Sequence, residues 1–162
     1  MPIHLLLIDD DPILLTAFSD MISFHFPSIQ FTAVDSGVTA LEELEKQPYD
    51  IVICDLMMPG MDGMMTLAEI RKDHPHLPIY LMTGHPEPEK VYRDTQATGF
   101  FNKPLDRAYF LDFMKRTVRV ISVNNRVTST IDKASECVSS VKRFLEEKRV
   151  IDAPVASSIS DS

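Results

Sequence analysis

The 162-residue chain has no tryptophan and only two cysteines, Cys54 and Cys137. The two lie far apart, without CxxC or metal-ligand spacing, which argues against a disulfide framework or zinc site and makes a reducing compartment the default. Five histidines, His4, His25, His74, His76 and His85, likewise show no ligand spacing. Long apolar runs are missing: no stretch approaches the roughly 20 residues of a membrane span. The N-terminus is too short for the apolar part of a secretory leader and lacks its basic residues. The expectation is a soluble, cytoplasmic protein. Basic residues are in the minority, 16 Lys+Arg against 24 Asp+Glu, for a net charge of −8. The whole imbalance lies in residues 1–123 (10 against 18), whereas residues 124–162 hold six of each. An acidic body repels polyphosphate and a neutral tail offers no basic face, so direct nucleic-acid binding is disfavoured.

What is present is the composition of a globular protein, 44% hydrophobic and 25% charged, long enough for one domain and an appendage. Short apolar runs alternate with longer amphipathic stretches. Ile3–Ile8 reads as a strand buried on both faces. Asp11-Pro12 supplies an N-cap and first helical residue for a helix to about Phe26. Ile29–Val34 is a second strand, and Ser36 caps a helix carrying Val38, Ala40, Leu41 and Leu44. Asp50–Cys54 is a third strand. After the Pro59-Gly60 turn comes a helix over about 63–73. Pro78–Met82 is a fourth strand, followed by a weakly striped helix from Pro86 to about Ala97, a short fifth strand at Gly99–Asn102, and a final helix from near Asp106. Five β–α units in strict alternation predict an α/β fold, an open, doubly wound five-stranded parallel sheet with helices on both faces. Ligands of such sheets bind beyond the carboxyl ends of the strands.

Polar residues stand at those ends: Asp9 and Asp10 after the first strand, Asp55 after the third, Thr83 after the fourth and Lys103 after the fifth. Three carboxylates in one crevice repel one another, and a hard divalent cation such as Mg²⁺ resolves this with oxygen ligands. An Asp55 oxygen in that setting can attack phosphorus, while Lys103 and the Thr83 hydroxyl stabilise the charge on the transferred group. The product is an aspartyl phosphate.

The segments LLLIDDDPILL, DIVICDLMMPGMDG, PIYLMTGH and GFFNKP closely resemble the receiver domain of bacterial two-component response regulators (CheY-like), over residues 1–121. The resemblance implies the flavodoxin-like strand order 2-1-3-4-5 and a phospho-histidine donor on a sensor histidine kinase or histidine phosphotransfer protein. It implies a signalling switch rather than an enzyme on a free substrate. It also implies a metal site of Asp9, Asp10, Asp55 and the Met57 backbone carbonyl, holding Mg²⁺ with Mn²⁺ as a substitute, and a cis Lys103-Pro104 bond. The family's readout couples Thr83 to an aromatic ring, here Phe100 where many members carry Tyr. Met57 and His85, two residues beyond Asp55 and Thr83, are expected to modulate dephosphorylation. A competing pattern is the DxDx(T/V) nucleophile motif of haloacid-dehalogenase-like phosphatases, nearly matched by Asp9–Ile13. It needs a further acidic pair at a strand end after the lysine, and the next acidic residues, Asp106 and Asp112, belong to the final helix. A phosphorylation-independent interaction module is the remaining alternative.

Residues 122–150 form a predicted helical extension, and 151–162 are expected to be disordered. A 4-3 repeat places Val120, Asn124, Val127, Ile131, Ala134, Val138, Val141 and Leu145 along one seam. That predicts a parallel two-stranded coiled coil, hence a homodimer, with Asn124 setting register at an a position. A helix folded back on the receiver's own surface, or a frayed tail, is the other reading. The tail holds no histidine, so it is not a histidine phosphotransfer domain. If the natural chain is longer, the tail links the receiver to an output domain.

Overall fold

A computed structural model describes residues 2–91 and 93–151, which divide into two compact units at Ile121/Ser122. The first unit contains β1 (Ile3–Ile8), α1 (Pro12–His25), β2 (Ile29–Val34), α2 (Gly37–Lys46), β3 (Ile51–Asp55), α3 (Gly63–Asp73), β4 (Ile79–Thr83), α4 (Pro88–Val91) and β5 (Gly99–Asn102). The last helix, α5, spans Arg107–Ile151. The sheet is five-stranded, wholly parallel, and ordered β2-β1-β3-β4-β5. The continuous apolar runs dictate this. Strand side chains alternate between faces, so a run without polar residues has both faces buried.

That alternation sorts the core into two clusters. Leu6, Ile8, Val52, Cys54 and Leu81 pack beneath Ala40 and Leu44 of α2 and Leu67 and Ile70 of α3. Leu5, Leu7, Ile51, Ile53 and Met82 face Phe18 and Ile22 of α1 and Phe110 and Met114 of α5. Each such fully buried side chain contributes about 1.5–3 kcal/mol. Four helices start on side-chain caps, α5 among them, where Asp106 accepts from the Tyr109 amide at 2.8 Å. Asp11 accepts from the Ile13 amide at 2.9 Å, Ser36 from Thr39 at 3.2 Å and Asp62 from Met65 at 2.8 Å. Each cap satisfies amides that the first helical turn leaves unpaired.

One element departs from the sequence reading. Instead of a helix from Pro86 to Ala97, among the described residues of this stretch only Pro88–Val91 is helical, and residues 93–98 run as turn and loop. Pro86 and Pro88 restrict where the helix starts, and its apolar stripe is too weak to drive a longer helix onto the sheet. Other bonds claim the returning backbone. The Arg71 guanidinium, at the end of α3, donates to the Gln96 carbonyl from Nε (3.0 Å) and from a terminal nitrogen (2.9 Å). Its other terminal nitrogen donates to the carbonyls of His74 (3.0 Å) and Leu77 (2.6 Å). Thr98 then joins Ile79 through its amide (2.7 Å to the carbonyl) and its hydroxyl (2.9 Å from the amide).

In the second unit the helix continues to Ile151. Val123, Val127, Ile131, Val138 and Val141 are all more than half exposed. The disordered end expected over 151–162 falls outside the described residues except for Ile151, the last residue of α5, and the Leu145 side chain is likewise outside them.

Replacing Arg71 with Ala removes one donor group from three carbonyls, at a cost of about 1–3 kcal/mol. Hydrogen exchange should accelerate at residues 94–98 while β1 and β3 keep their protection. Unchanged exchange at 94–98 would show that the arginine does not hold this loop.

Candidate functional site

The sheet ladder carries main-chain order to the functional positions. The Asp9 amide donates to the Val34 carbonyl (3.1 Å), Leu56 to Met82 (2.9 Å) and Lys103 to Thr83 (2.7 Å). Asp55 is the last residue of β3 and lies opposite Met82 of β4, so Thr83 is one step beyond it on the neighbouring strand. The carboxyl edge of the sheet thereby gathers residues separated by 94 positions in sequence.

Lys103 bridges two of them. Its Nζ donates to Asp9 Oδ2 at 2.9 Å and lies 3.0 Å from Asp55 Oδ1, with the Asp9 side chain 1% exposed and that of Asp55 6%. The Lys103-Pro104 bond is cis. Asp10, which is exposed, offers a third carboxylate, and one oxygen from each of Asp9, Asp10 and Asp55 falls within 4.8 Å of the others. The second Asp9 oxygen accepts from the Asp11 amide at 2.9 Å, which fixes the carboxylate's orientation. Asp11 serves as helix cap.

Burial raises the Asp55 carboxyl above its ordinary value. Hydrogen bonding and charge attraction from Lys103 and a backbone bond from Met57 oppose this, and the Asp9 charge adds to it. For Lys103, burial acts to lower the ammonium's value, but the bonds to Asp9 and Asp55 outweigh it and the net shift is upward. The lysine is therefore charged throughout the physiological range. Three carboxylates against one ammonium leave a local deficit of positive charge, and every donor in the cluster is a hard oxygen. That donor set fits a small divalent cation such as Mg²⁺.

The other expected positions divide. Thr83 is buried, and its Oγ1 accepts the His85 amide at 3.1 Å. His85 is exposed, and its Nδ1 accepts from the Glu87 amide at 3.2 Å. Phe100 is half-buried against the cluster under α2 and α3, beside Leu81 in the sheet register. The Met57 side chain is 76% exposed, whereas Met58 is buried in the core. Sequence reasoning gave Gly63 no role, yet a Cβ there would lie 2.3 Å from the Asp55 carbonyl oxygen and 2.7 Å from Leu56 Cα. The start of α3 thus closes directly on the backbone of the central aspartate, and the Gly63 amide donates to the Leu56 carbonyl at 3.0 Å. Its only trace in the sequence is the Asp62-Gly63 pair, a helix cap followed by the smallest residue.

Comparison with known proteins places this geometry. The sequence is 36% identical over 120 residues to the response regulator protein FleR of Pseudomonas aeruginosa, covering 72% of this chain and 24% of that protein. It is 38% identical over 108 residues to the transcriptional regulatory protein GlrR of Escherichia coli, covering 65% and 24%. The chain therefore spans about a quarter of the length of these curated relatives. Among solved structures, the chemotaxis response regulator CheY4 of Vibrio cholerae superposes with a TM-score of 0.65 at 24% identity, over 72% of this chain and 99% of that one. The receiver domain of the sensor histidine kinase PA1611 from Pseudomonas aeruginosa, described with a magnesium ion coordinated in its active-site cleft, gives 0.61 at 24% identity, over 73% and 98%. The family profile described as the response regulator receiver domain matches residues 5–115. Sheet order, acidic pocket and sequence agree: this chain belongs to the response regulator receiver domain family and is a signalling switch of the two-component type.

Proposed function

We propose that Asp55 accepts a phosphoryl group from a phospho-histidine on a sensor histidine kinase or histidine phosphotransfer protein. The observation that carries this reading is the Lys103 ammonium set between Asp9 and Asp55 at 2.9 and 3.0 Å. The nitrogen–phosphorus bond of the donor breaks, an Asp55 Oδ–phosphorus bond forms, and the imidazole leaves with the electron pair. Lys103 is placed to accompany the negative charge from the carboxylate to an oxygen of the transferred group. Thr83 supplies a hydroxyl at the end of the adjacent strand. Asp9, Asp10, Asp55 and the Met57 carbonyl are the groups that would hold Mg²⁺, or Mn²⁺ in its place, and the ion would neutralise charge on the phosphoryl oxygens. Thr83 and Phe100 form the readout, and Met57 and His85 border the site where they tune hydrolysis of the acyl phosphate. The phosphatase alternative leaves Asp55 without a task, although Asp55 sits beside Asp9 and Lys103 in the pocket.

We assign residues 1–121 as the receiver and 122–150 as a helical extension that associates with its counterpart in another copy. The exposed seam carries the second assignment: Val120, Val127, Ile131, Val138 and Val141 are between 53% and 61% exposed. Among the described residues no helix is long and apolar enough to cross a membrane, and we place the protein in the cytoplasm, where kinase phosphohistidines are made. In a longer natural protein, α5 would connect the receiver to an output domain.

Three outcomes test these assignments. Incubation with Mg²⁺ and a small phosphodonor should yield one hydroxylamine-labile adduct on Asp55 by mass spectrometry. Asp55→Asn should abolish it and Lys103→Met should slow its formation by roughly 10²-fold or more; phosphoester turnover that survives Asp55→Asn but not Asp9→Asn would favour a phosphatase. Because the fold holds the Asp55 carboxyl above its unfolded value, its ionised form opposes folding once the pH exceeds the unfolded value. In chelator-treated protein, Asp55→Asn should therefore raise the melting temperature at pH 7, the gain vanishing as the pH falls below the ordinary carboxylate range. A melting temperature equal to wild type at pH 7 would contradict that sign. Finally, a chain ended after Val123 should sediment as a monomer and the full chain should not; equal monomer masses would end the self-association reading.

A further inference from the structure

The seam of α5 has flanks as well as a centre. With Asn124 at a, positions d are Val120, Val127, Ala134 and Val141, and the following a positions are Ile131, Val138 and Leu145. Two-stranded coils favour leucine at d, whereas three of these four residues are β-branched, a choice that moves preference toward larger assemblies. The positions beside the seam carry the same message. Where a two-stranded coil has charges at e and g, this helix has Val123, Thr128, Thr130, Ser135 and Cys137, and Lys142 is the single exception up to residue 143. Val123, at g, is 56% exposed, as open as the seam residues.

The charges have gone elsewhere. Between residues 122 and 147 the remaining ones, Arg126, Asp132, Lys133, Glu136, Arg143, Glu146 and Glu147, all fall at b, c or f. Apart from Lys142, four of the seven heptad positions are thus uncharged, a face about 200° wide. A single partner covers a and d and leaves e and g at the rim. A helix surrounded by two neighbours buries all four, as in a four-helix bundle.

We propose that residues 120–145 from four copies of this chain form that bundle. The inference rests on the reading of α5 as self-associating and goes beyond it in fixing the number of strands. Identical copies are the occupant for three reasons. Foreign helices are selected through opposite charges at e and g, and this face, with Lys142 as its one charge, holds no pair from which to build such a code. The charges on residues 122–147, Lys142 included, balance at four basic and four acidic, so copies meet without net repulsion along the helix. Asn124, in an otherwise apolar row, finds its match in the same amide of an in-register copy. The face is about 39 Å long, from 26 residues at 1.5 Å each.

Sedimentation equilibrium of the full chain tests it. Four chain masses are expected. Two masses would overturn the bundle while leaving self-association intact; one mass, including a tail folded back on its own receiver or awaiting another protein, would overturn both; three would overturn the bundle. The variant Thr130→Glu/Cys137→Glu places charge at two g positions and should reduce the assembly to two masses or fewer. Its charge-matched control, Ser139→Glu/Ser140→Glu at b and c, should remain at four. Helix content by circular dichroism and adduct formation on Asp55 confirm that each variant is folded. A g-position variant that holds four masses, or a control that dissociates like it, would refute burial of the flanks.

Discussion

One ammonium group between two buried carboxylates is the interaction around which the receiver unit is organised. Each carboxylate would be costly in the interior on its own. Lys103 makes both tolerable at once, and it reaches both because its strand and theirs end at the same edge of one parallel sheet. The arrangement is deliberately undercompensated, since Asp10 adds a third negative group beside the pair. Such a pocket costs stability while holding affinity for whatever brings positive charge. Stability and function therefore draw on the same few atoms, and the surrounding apolar clusters must supply the difference.

Much of this was legible without coordinates, for physical reasons that differ from residue to residue. Ile51, Val52 and Ile53 announce a central strand because the run is short, β-branched and set between Pro48 and the Pro59-Gly60 turn. Once strands and helices alternate, handedness and crossover length leave few topologies, and Asp9, Asp55, Thr83 and Lys103 fall at one edge of any of them. The Asp11-Pro12 pair reads as a helix start from local hydrogen bonding alone. These features are encoded within a few residues of where they act.

What escaped the sequence depends on distant partners. The helix expected over Pro86–Ala97 shrank to Pro88–Val91 because Arg71, fifteen and more residues away, holds the Gln96 carbonyl in a returning loop. No periodicity reveals an arginine donating to main-chain oxygens. Gly63 was invisible for a related reason: its importance is the absence of an atom, and only the backbone of Asp55 and Leu56 shows what that atom would strike. The tail presents the opposite case: its 4-3 repeat is plain in the sequence, and the side chains of that seam stand exposed in the structure.

The Thr83 hydroxyl sits at the junction of these local and distant constraints. Its oxygen already receives the His85 amide, while the main chain on either side of it is tied into the sheet through the Leu56 and Lys103 amides. A side chain with one rotatable bond and a fixed backbone has a short list of positions. Any rotation that carries this oxygen toward a new neighbour lengthens its contact with His85, so loss of slack at one end of the β4–β5 connection is the direct mechanical counterpart of a bond gained in the pocket. With Arg71 and Thr98 pinning the far end, the displaced length has only the ten or so residues between to go, and the short α4 turn lies in the middle of them.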